Sequence, residues 1–417
     1  MSKIKIEGGH KLTGTINISG AKNSAVALIP AAILCDEETS IINVPNISDV
    51  DSLEEILKYL KADVKREEDH VTINCQNMTN KCIPHELSSK LRASYYFMGA
   101  LLGKFHEVNM HFPGGCSIGK RPIDLHLKGF RELGATVYEK DDHIIIKAKE
   151  LTGNKIYLDI PSVGATINIM LAAVKAKGTT IIENAAQEPE IVNVAMYLNN
   201  MGAQITGAGS NLIKITGVST LTKAIHEVIP DRIEAGTYLI IASLLGENLK
   251  INKVIPNHLE SLVSKLKEAG VDMEIGNDYI RVNKVNEYKA INIKTLVYPG
   301  FPTDLQQPMI PFLTQCHGIS KVEETIWENR FQNIMDTIKM GANIEVENNK
   351  VAYVKGKTPL KGENVSATDL RGGASMLICG LIAEGITVID NINFILRGYD
   401  NIVNKLKKVG ANIELID

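Results

Sequence analysis

Nowhere in the 417 residues does an apolar run approach the roughly 18 that a membrane helix needs. The opening MSKIKIEGGH alternates charge with Ile where a secretory signal would carry an apolar core. A cytoplasmic protein without a membrane partner is expected. An excess of one charge is also missing: the formal net charge of -3 argues against a chain that coats nucleic acid or anionic lipid, so any basic site must be local. No nucleic-acid partner is expected. The six cysteines contain no CxxC pair and read as free thiols. Five of them, Cys35, Cys75, Cys82, Cys316 and Cys379, are expected to pack as small buried hydrophobes. HExxH, Cys/His metal spacing, GxGxxG and a catalytic serine elbow are all absent, and His111, His126, His226, His258 and His317 are scattered, so no metal or cofactor is implied. The single tryptophan, Trp327, reads as a packing or wall residue.

What the chain does contain is repetition. A helix end followed by Gly-Ala-x-Ile or a variant recurs as LKADV, LGATV, MGAQI, AGVDM, MGANI and VGANI. Its third residue falls at Ala62, Ala135, Ala203, Val271, Ala342 and Ala411, with separations of 73, 68, 68, 71 and 69. The third copy is the clearest. GATINIMLAAVKAKG has helical spacing, TTIIEN reads as a strand, EPEIVNVAMYLNNMG as a second helix, and AQITGAGSNLIKITG as a hairpin. The sixth copy stops at ANIELID, one strand short, and KIKIEG at residues 3–8 has the alternation to supply it. Six such units exceed one core. The expectation is two α/β domains of three units, residues 22–229 and residues 230–417 with 1–21, joined by two crossovers.

Residues that a core would not choose gather at the turns before the two helices of each unit. Before the first helix stand SGAKNS, SKLRAS, PSVGAT, PDRIEA, FPTDLQ and TDLRGG; before or within the second stand PNISDVD, PGGCSIGKRPID, QEPE, IPNH, ENR and ILRGYD. Equivalent turns of a repeat share one rim, and helix N-termini offer amides to an anion. Lys22, Arg92, Arg121, Arg232, Arg330, Arg371 and Arg397 are read as cations at helix starts, where the dipole disfavours them unless an anion binds. Asp49, Asp51, Asp124, Asp231, Asp369 and Glu188 are explained by capping. Asp304, after Pro302 and Thr303, is the acid set apart.

Cys116 lies in GGCSIGKR, which satisfies G-x4-G-K of a phosphate loop. Arg121 stands where the magnesium-binding Ser or Thr belongs, and Pro122 follows at once. The other reading is a reactive thiol tuned by neighbouring cations, on a loop that Gly114, Gly115 and Gly119 keep pliable.

These stretches, with LRAS, PGGCSIGKRPIDLHLKG, IIENAAQEPEIV, IPDRIE, ENRF, ATDLR and RGYDNI in order from end to end, resemble the UDP-N-acetylglucosamine 1-carboxyvinyltransferase (MurA) family of enolpyruvyl transferases. The resemblance implies a two-domain inverse α/β barrel, EPSP synthase-like, of six βαβαββ repeats. It implies phosphoenolpyruvate and UDP-N-acetylglucosamine as small-molecule substrates of a monomer, in the first committed step of peptidoglycan synthesis. By the same likeness Cys116 is the acid and Asp304 the base. Lys22, Arg121 and Arg397 hold the phosphate, Arg330 and Arg371 lie near the carboxylate, and Asn23 contacts the tetrahedral intermediate. Arg92, Arg121, Pro122, Ile123, Asp124, Leu125, Ser162, Val163, Gly164, Asp304 and Ile326 contact the nucleotide sugar. Two departures stand out: Ile160-Pro161 replaces a stretch where some members carry a diphosphate-binding Lys, and Lys120 adds a cation. The rivals are a shikimate-pathway enolpyruvyl transferase, which lacks a cysteine like Cys116, and a non-catalytic nucleotide-sugar sensor on the same scaffold.

Overall fold

Each repeat closes its second helix on the same backbone device. Gly134, Gly202, Gly270, Gly341 and Gly410 take φ values of 94°, 104°, 98°, 109° and 108°. In this left-handed region a Cβ costs about 1–2 kcal/mol, and glycine avoids that cost. The first copy places Lys61 there, at φ 66°. The turn releases the chain into a hairpin, and the period near 70 is the spacing of these turns. The structure, a computed structural model, describes residues 2–114, 122–140, 142–283 and 287–416. The described residues of 1–19 and 230–417 cluster as one compact unit, those of 20–116 and 121–229 as another.

In the unit spanning 20–229, three helices are apolar nearly all round: Lys22–Ala31, Tyr96–Phe105 and Val163–Ala173 are buried from Ser24 to Ala31, Tyr96 to Gly103 and Gly164 to Ala173. Helices without a polar face belong at the centre of a core. The second helices, Ser48–Tyr59, Asp124–Glu132 and Pro189–Asn200, are amphipathic and bury one side. Close approach of the central helices needs glycine: a Cβ on Gly99 would lie 2.4 Å from the Asn168 carbonyl, and one on Gly103 2.8 Å from that of Leu171.

Three sheets complete this unit. Their orders are Ile225–Glu227, Glu38–Ile42, His70–Asn74, Asp63–Glu67; then Gln204–Thr206, Leu212–Thr216, Thr179–Glu183, Lys155–Tyr157; then Glu107–His111, His143–Lys147, Thr136–Lys140. In the second, the leading strand Lys155–Tyr157 is parallel to Thr179–Glu183 and the hairpin antiparallel, which is βαβαββ; in the first, the parallel place beside Glu38–Ile42 is taken by Ile225–Glu227, from the far end of the unit. The third keeps only a parallel bridge, Ile83 to Met110, in place of the leading strand. Inner hairpin strands alternate buried and partly exposed residues, so each presents one face to the helices.

The other unit repeats the plan around the buried helices Arg232–Leu245, Thr303–Thr314 and Leu370–Ile382. Strand Lys3–Glu7 lies antiparallel between Ile386–Asp390 and Asn412–Ile416, with Ile4 opposite Leu415 and Ile389. Thr15–Asn17 runs parallel to Leu249–Asn252. Ser19 is fixed where the chain leaves this unit. Its amide donates to Glu234 Oε2 at 2.9 Å, its hydroxyl donates to Asp400 Oδ2 at 2.9 Å, and Lys405 Nζ bridges its Oγ (2.7 Å) to Glu234 Oε1 (2.6 Å). Burial pushes the Glu234 carboxyl up to about 7 against the opposing pull of Lys405.

Cys35, Cys75, Cys316 and Cys379 are buried, and desolvation lifts the last three to about 12, leaving inert thiols. Cys82 does not fit the expectation of buried filler. It is half-buried, because Ile83 turns fully inward at the bridge and alternation turns its neighbour out.

Candidate functional site

Asp304 stands in the first turn of Thr303–Thr314, with no side-chain cap ahead of it at Pro302. Its carboxylate is gripped from two sides. Arg330 Nη2 donates to Oδ1, and Arg371 Nη2 donates to Oδ2 at 3.1 Å. The two guanidinium side chains are only 3% and 4% exposed, whereas that of Asp304 is 27% exposed. Neighbours hold the grip in place. Arg330 also donates from Nε to Thr303 Oγ1 and from Nη1 to Gln307 Oε1, each at 3.2 Å. Arg371 packs over the ring of Tyr399, 5.4 Å from its centroid. Burial opposes the Arg371 charge, but Asp304 and Tyr399 outweigh it and hold the guanidinium above its ordinary pKa. The arrangement is a carboxylate at a protein surface with two fixed forks behind it, suited to a second carboxylate or a phosphate.

Glu324 organises this cluster and gave no signal in the sequence. Buried to 2% exposure, it accepts from Thr295 Oγ1 and Thr303 Oγ1, both at 2.9 Å, and from the amides of Ile326 (2.8 Å) and Trp327 (3.2 Å). Ile326 is thereby fixed beside Thr303, and Trp327 is half-buried. Contacts across 21 and 29 residues, to Thr303 and Thr295, reveal the role of Glu324.

The cations do not all stand at helix starts. Lys22, Arg92, Arg232 and Arg371 do, in Lys22–Ala31, the 3-10 turn Arg92–Tyr95, Arg232–Leu245 and Leu370–Ile382. Arg330 lies in the loop before Ile334–Lys339, and Arg397 follows Asn393–Leu396 at its C-terminal end. The reason in the last case is local: Asn401, left-handed at φ 52°, splits the segment into two short helices and the first ends at Arg397. The acids are also more varied than capping suggests. Asp231 accepts from the amides of Ile233 and Glu234, and Asp369 from those of Arg371 and Gly372, but Glu188 makes no cap bond. Asp49 is an ion-pair partner, 2.8 Å from Lys22 Nζ. Asn23 is half-buried beside Lys22.

In the unit spanning 20–229, Arg92, Pro122, Ile123 and Asp124 line one cleft of about 420 Å³ with Phe112, Pro113 and Leu127; the Arg131–Glu139 pair, 3.2 Å apart, closes its edge. Leu125 is buried just behind, in Asp124–Glu132. Ser162 caps Val163–Ala173 by accepting from the Ala165 amide at 3.3 Å, and Gly164 faces Tyr95 and His126. A Cβ on Gly164 would come within 2.9 Å of His126 Cε1 and 3.0 Å of Tyr95 Oη. His126 is buried, accepts from Asn168 Nδ2 at its Nδ1 across 2.8 Å, and is pushed down to about 3 by burial and by the Arg92 charge. It is a neutral, hydrogen-bonded core histidine. Cys116, Lys120 and Arg121 lie outside the described residues.

The EPSP synthase (3-phosphoshikimate 1-carboxyvinyltransferase) family matches residues 6–406. The chain is 52% identical over 414 residues to UDP-N-acetylglucosamine 1-carboxyvinyltransferase 2 of Bacillus anthracis, covering 99% of this chain and 96% of that one. It is also 52% identical over 419 residues to UDP-N-acetylglucosamine 1-carboxyvinyltransferase 2 of Streptococcus pneumoniae (strain ATCC BAA-255 / R6), covering all of both. Among solved structures, the enolpyruvyl transferase NikO from Streptomyces tendae superposes with a TM-score of 0.90 at 24% identity, over 99% of this chain and 98% of that one. EPSP synthase from Acinetobacter baumannii gives 0.77 at 18% identity, over the whole of both chains. At such identities these two establish the fold. Six βαβαββ repeats, motif order and full-length identity thus converge: this chain is a member of the UDP-N-acetylglucosamine 1-carboxyvinyltransferase family of enolpyruvyl transferases.

Proposed function

We propose that the protein transfers the enolpyruvyl group of phosphoenolpyruvate to the 3-hydroxyl of UDP-N-acetylglucosamine by addition and elimination, releasing phosphate, as the first committed step of peptidoglycan synthesis. The observation that carries this reading is Asp304, an acid gripped by two buried guanidiniums in a chain whose full-length relatives bear that enzyme's name.

The sugar hydroxyl adds to C2 of the enol phosphate, which requires a proton delivered to C3 and another taken from the hydroxyl. Cys116 donates the first and Asp304 accepts the second. Loss of phosphate with a proton from the new methyl then regenerates the double bond. The thiolate of Cys116 also adds to C2, giving the phospholactoyl adduct. Arg330 and Arg371 bind the substrate carboxylate. When that carboxylate takes over part of their donors, Asp304 loses stabilising hydrogen bonds and becomes a stronger base, so substrate binding itself readies it. Lys22, Arg121 and Arg397 hold the phosphate. Lys22–Ala31 opens after Ala21, which makes no side-chain cap bond, and a helix N-terminus of that kind suits an anion. Asn23 contacts the tetrahedral intermediate. The nucleotide sugar takes Arg92, Arg121, Pro122, Ile123, Asp124, Leu125, Ser162, Val163, Gly164 and Ile326, and the cleft beside Arg92 and Asp124 supports that placement. The reading includes a cytoplasmic monomer that needs no cofactor, with 22–229 and 1–21 plus 230–417 as its working domains. No helix among the described residues is long and apolar enough to cross a membrane.

The test is phosphate release from phosphoenolpyruvate, with and without UDP-N-acetylglucosamine, for the native chain and Cys116→Ser. Release only with both substrates, and its near-loss in the variant, is expected. Release with shikimate 3-phosphate instead would overturn the assignment, and tight sugar binding without release would favour the sensor. An epoxide phosphonate such as fosfomycin should alkylate Cys116; a label found elsewhere by mass spectrometry would refute its role.

A further inference from the structure

We infer that Cys82, His111 and His143 form a binding site for a divalent transition-metal ion of the zinc class, in addition to the transferase chemistry. One ligand atom from each of the three side chains lies within 4.8 Å of the others. This is the single such group among the described residues. Tetrahedral zinc with bonds of about 2.0–2.3 Å sets its ligands roughly 3.3–3.8 Å apart, a closure within reach of small side-chain rotations.

The backbone fixes all three. His111 and His143 are directly opposed across the antiparallel pair Glu107–His111 and His143–Lys147, so their rings leave the same face, 4.9 Å between centroids. Ile83 donates to the Asn109 carbonyl at 3.0 Å and accepts from the His111 amide at 3.1 Å, which holds Cys82 alongside. A cross-strand aromatic pair accounts for two histidines; it does not account for a soft sulfur within the same reach. An outer partner is also present. Asp142 Oδ2 lies 3.2 Å from His111 Nδ1, which leaves Nε2 as the acceptor of that ring, in the carboxylate–histidine arrangement that orients metal ligands. All three ligands are half-buried, so an ion can enter and a water can complete its shell. A thiolate with two imidazoles favours zinc and its neighbours over magnesium or calcium. Sequence inspection missed the site because its members are 29 and 32 residues apart and no two share a local motif.

The test uses the full chain and Co²⁺ as a spectroscopic stand-in, with Zn²⁺ affinity measured by competition against a chromophoric chelator. Expected are one equivalent per chain and a thiolate-to-cobalt charge-transfer band. Cys82→Ser should abolish the band, and His143→Gln should weaken Zn²⁺ binding at least about 10-fold; Asp142→Asn should weaken it about 10-fold through the outer shell. Cys116→Ser should leave band and stoichiometry unchanged. Absence of stoichiometric binding, a band surviving in Cys82→Ser, a band lost in Cys116→Ser, or an unaltered affinity in His143→Gln would each overturn the inference. The half-exposed His143→Gln keeps the test decisive if Cys82→Ser fails to fold. None of these readouts depends on turnover.

Discussion

Arg371 donates from Nη2 to Asp304 Oδ2 across 3.1 Å, joining the first turns of two buried helices, Leu370–Ile382 and Thr303–Thr314. With Arg330 on the other oxygen, this acid is both a structural anchor and the proposed base. Asp304→Asn puts an amide donor against one guanidinium and removes the proton acceptor. Phosphate release should fall about 10²–10⁴-fold, and urea unfolding should show a loss of about 1–3 kcal/mol. Unchanged turnover would remove Asp304 from the chemistry.

Lys22 and Asp49 form a pair 2.8 Å apart whose acid is nearly enclosed. Lys22→Met removes the cation from that pair and should cost about 2–4 kcal/mol by denaturant titration, near the range for breaking a buried pair. Adding Asp49→Asn should restore most of the stability without restoring phosphate release. Recovery of both together would show that Lys22 serves only Asp49.

Gly164→Ala drives a methyl against His126 and Tyr95. The overpacking should cost about 1–3 kcal/mol. In steady-state kinetics the KM for UDP-N-acetylglucosamine should rise much more than that for phosphoenolpyruvate. An equal rise in both would place Gly164 away from the nucleotide sugar.

His126 makes the fold acid-sensitive. Its folded value, about 3, lies below the ordinary 6.5, so protons bind the unfolded chain more readily. The stability it contributes is complete above pH 6.5 and is lost as pH falls towards 3. His126→Asn, which retains an amide oxygen opposite Asn168, should flatten the stability profile in that window. Parallel profiles for variant and native chain would contradict the assignment.

Lys61 occupies the left-handed turn that glycine fills in the other five repeats. Lys61→Gly should raise stability by about 0.5–1 kcal/mol, the relieved Cβ strain outweighing the added freedom of the unfolded chain. A destabilised variant would mean that the Lys61 stem contributes packing worth more than its strain.

Hairpins, capped turns and buried helices were legible because each is a local preference written in consecutive residues. MGAQI needs nothing beyond itself to end a helix at Gly202, and the alternation in KIKIEG invites the register that pairs Ile4 with Leu415. Arg397 was misplaced because the break at Asn401 competes with helix propensity, and dihedral choices of that size are not resolved by periodicity. Glu324 and Cys82 were invisible for another reason. An acid at the end of Cys316–Glu323 and a thiol beside a bridge look unremarkable until distant chain meets them.

The sequence alone determined the period, the order of elements within each repeat and the family, since these rest on local backbone energetics and on motifs read in order. Tertiary structure decided which charges meet: Asp304 with Arg330 and Arg371, Lys22 with Asp49, Glu324 with Thr303, and Cys82 with two histidines. Coulomb forces and hydrogen bonds act over a few ångströms of space, and only packing sets that distance for residues far apart along the chain.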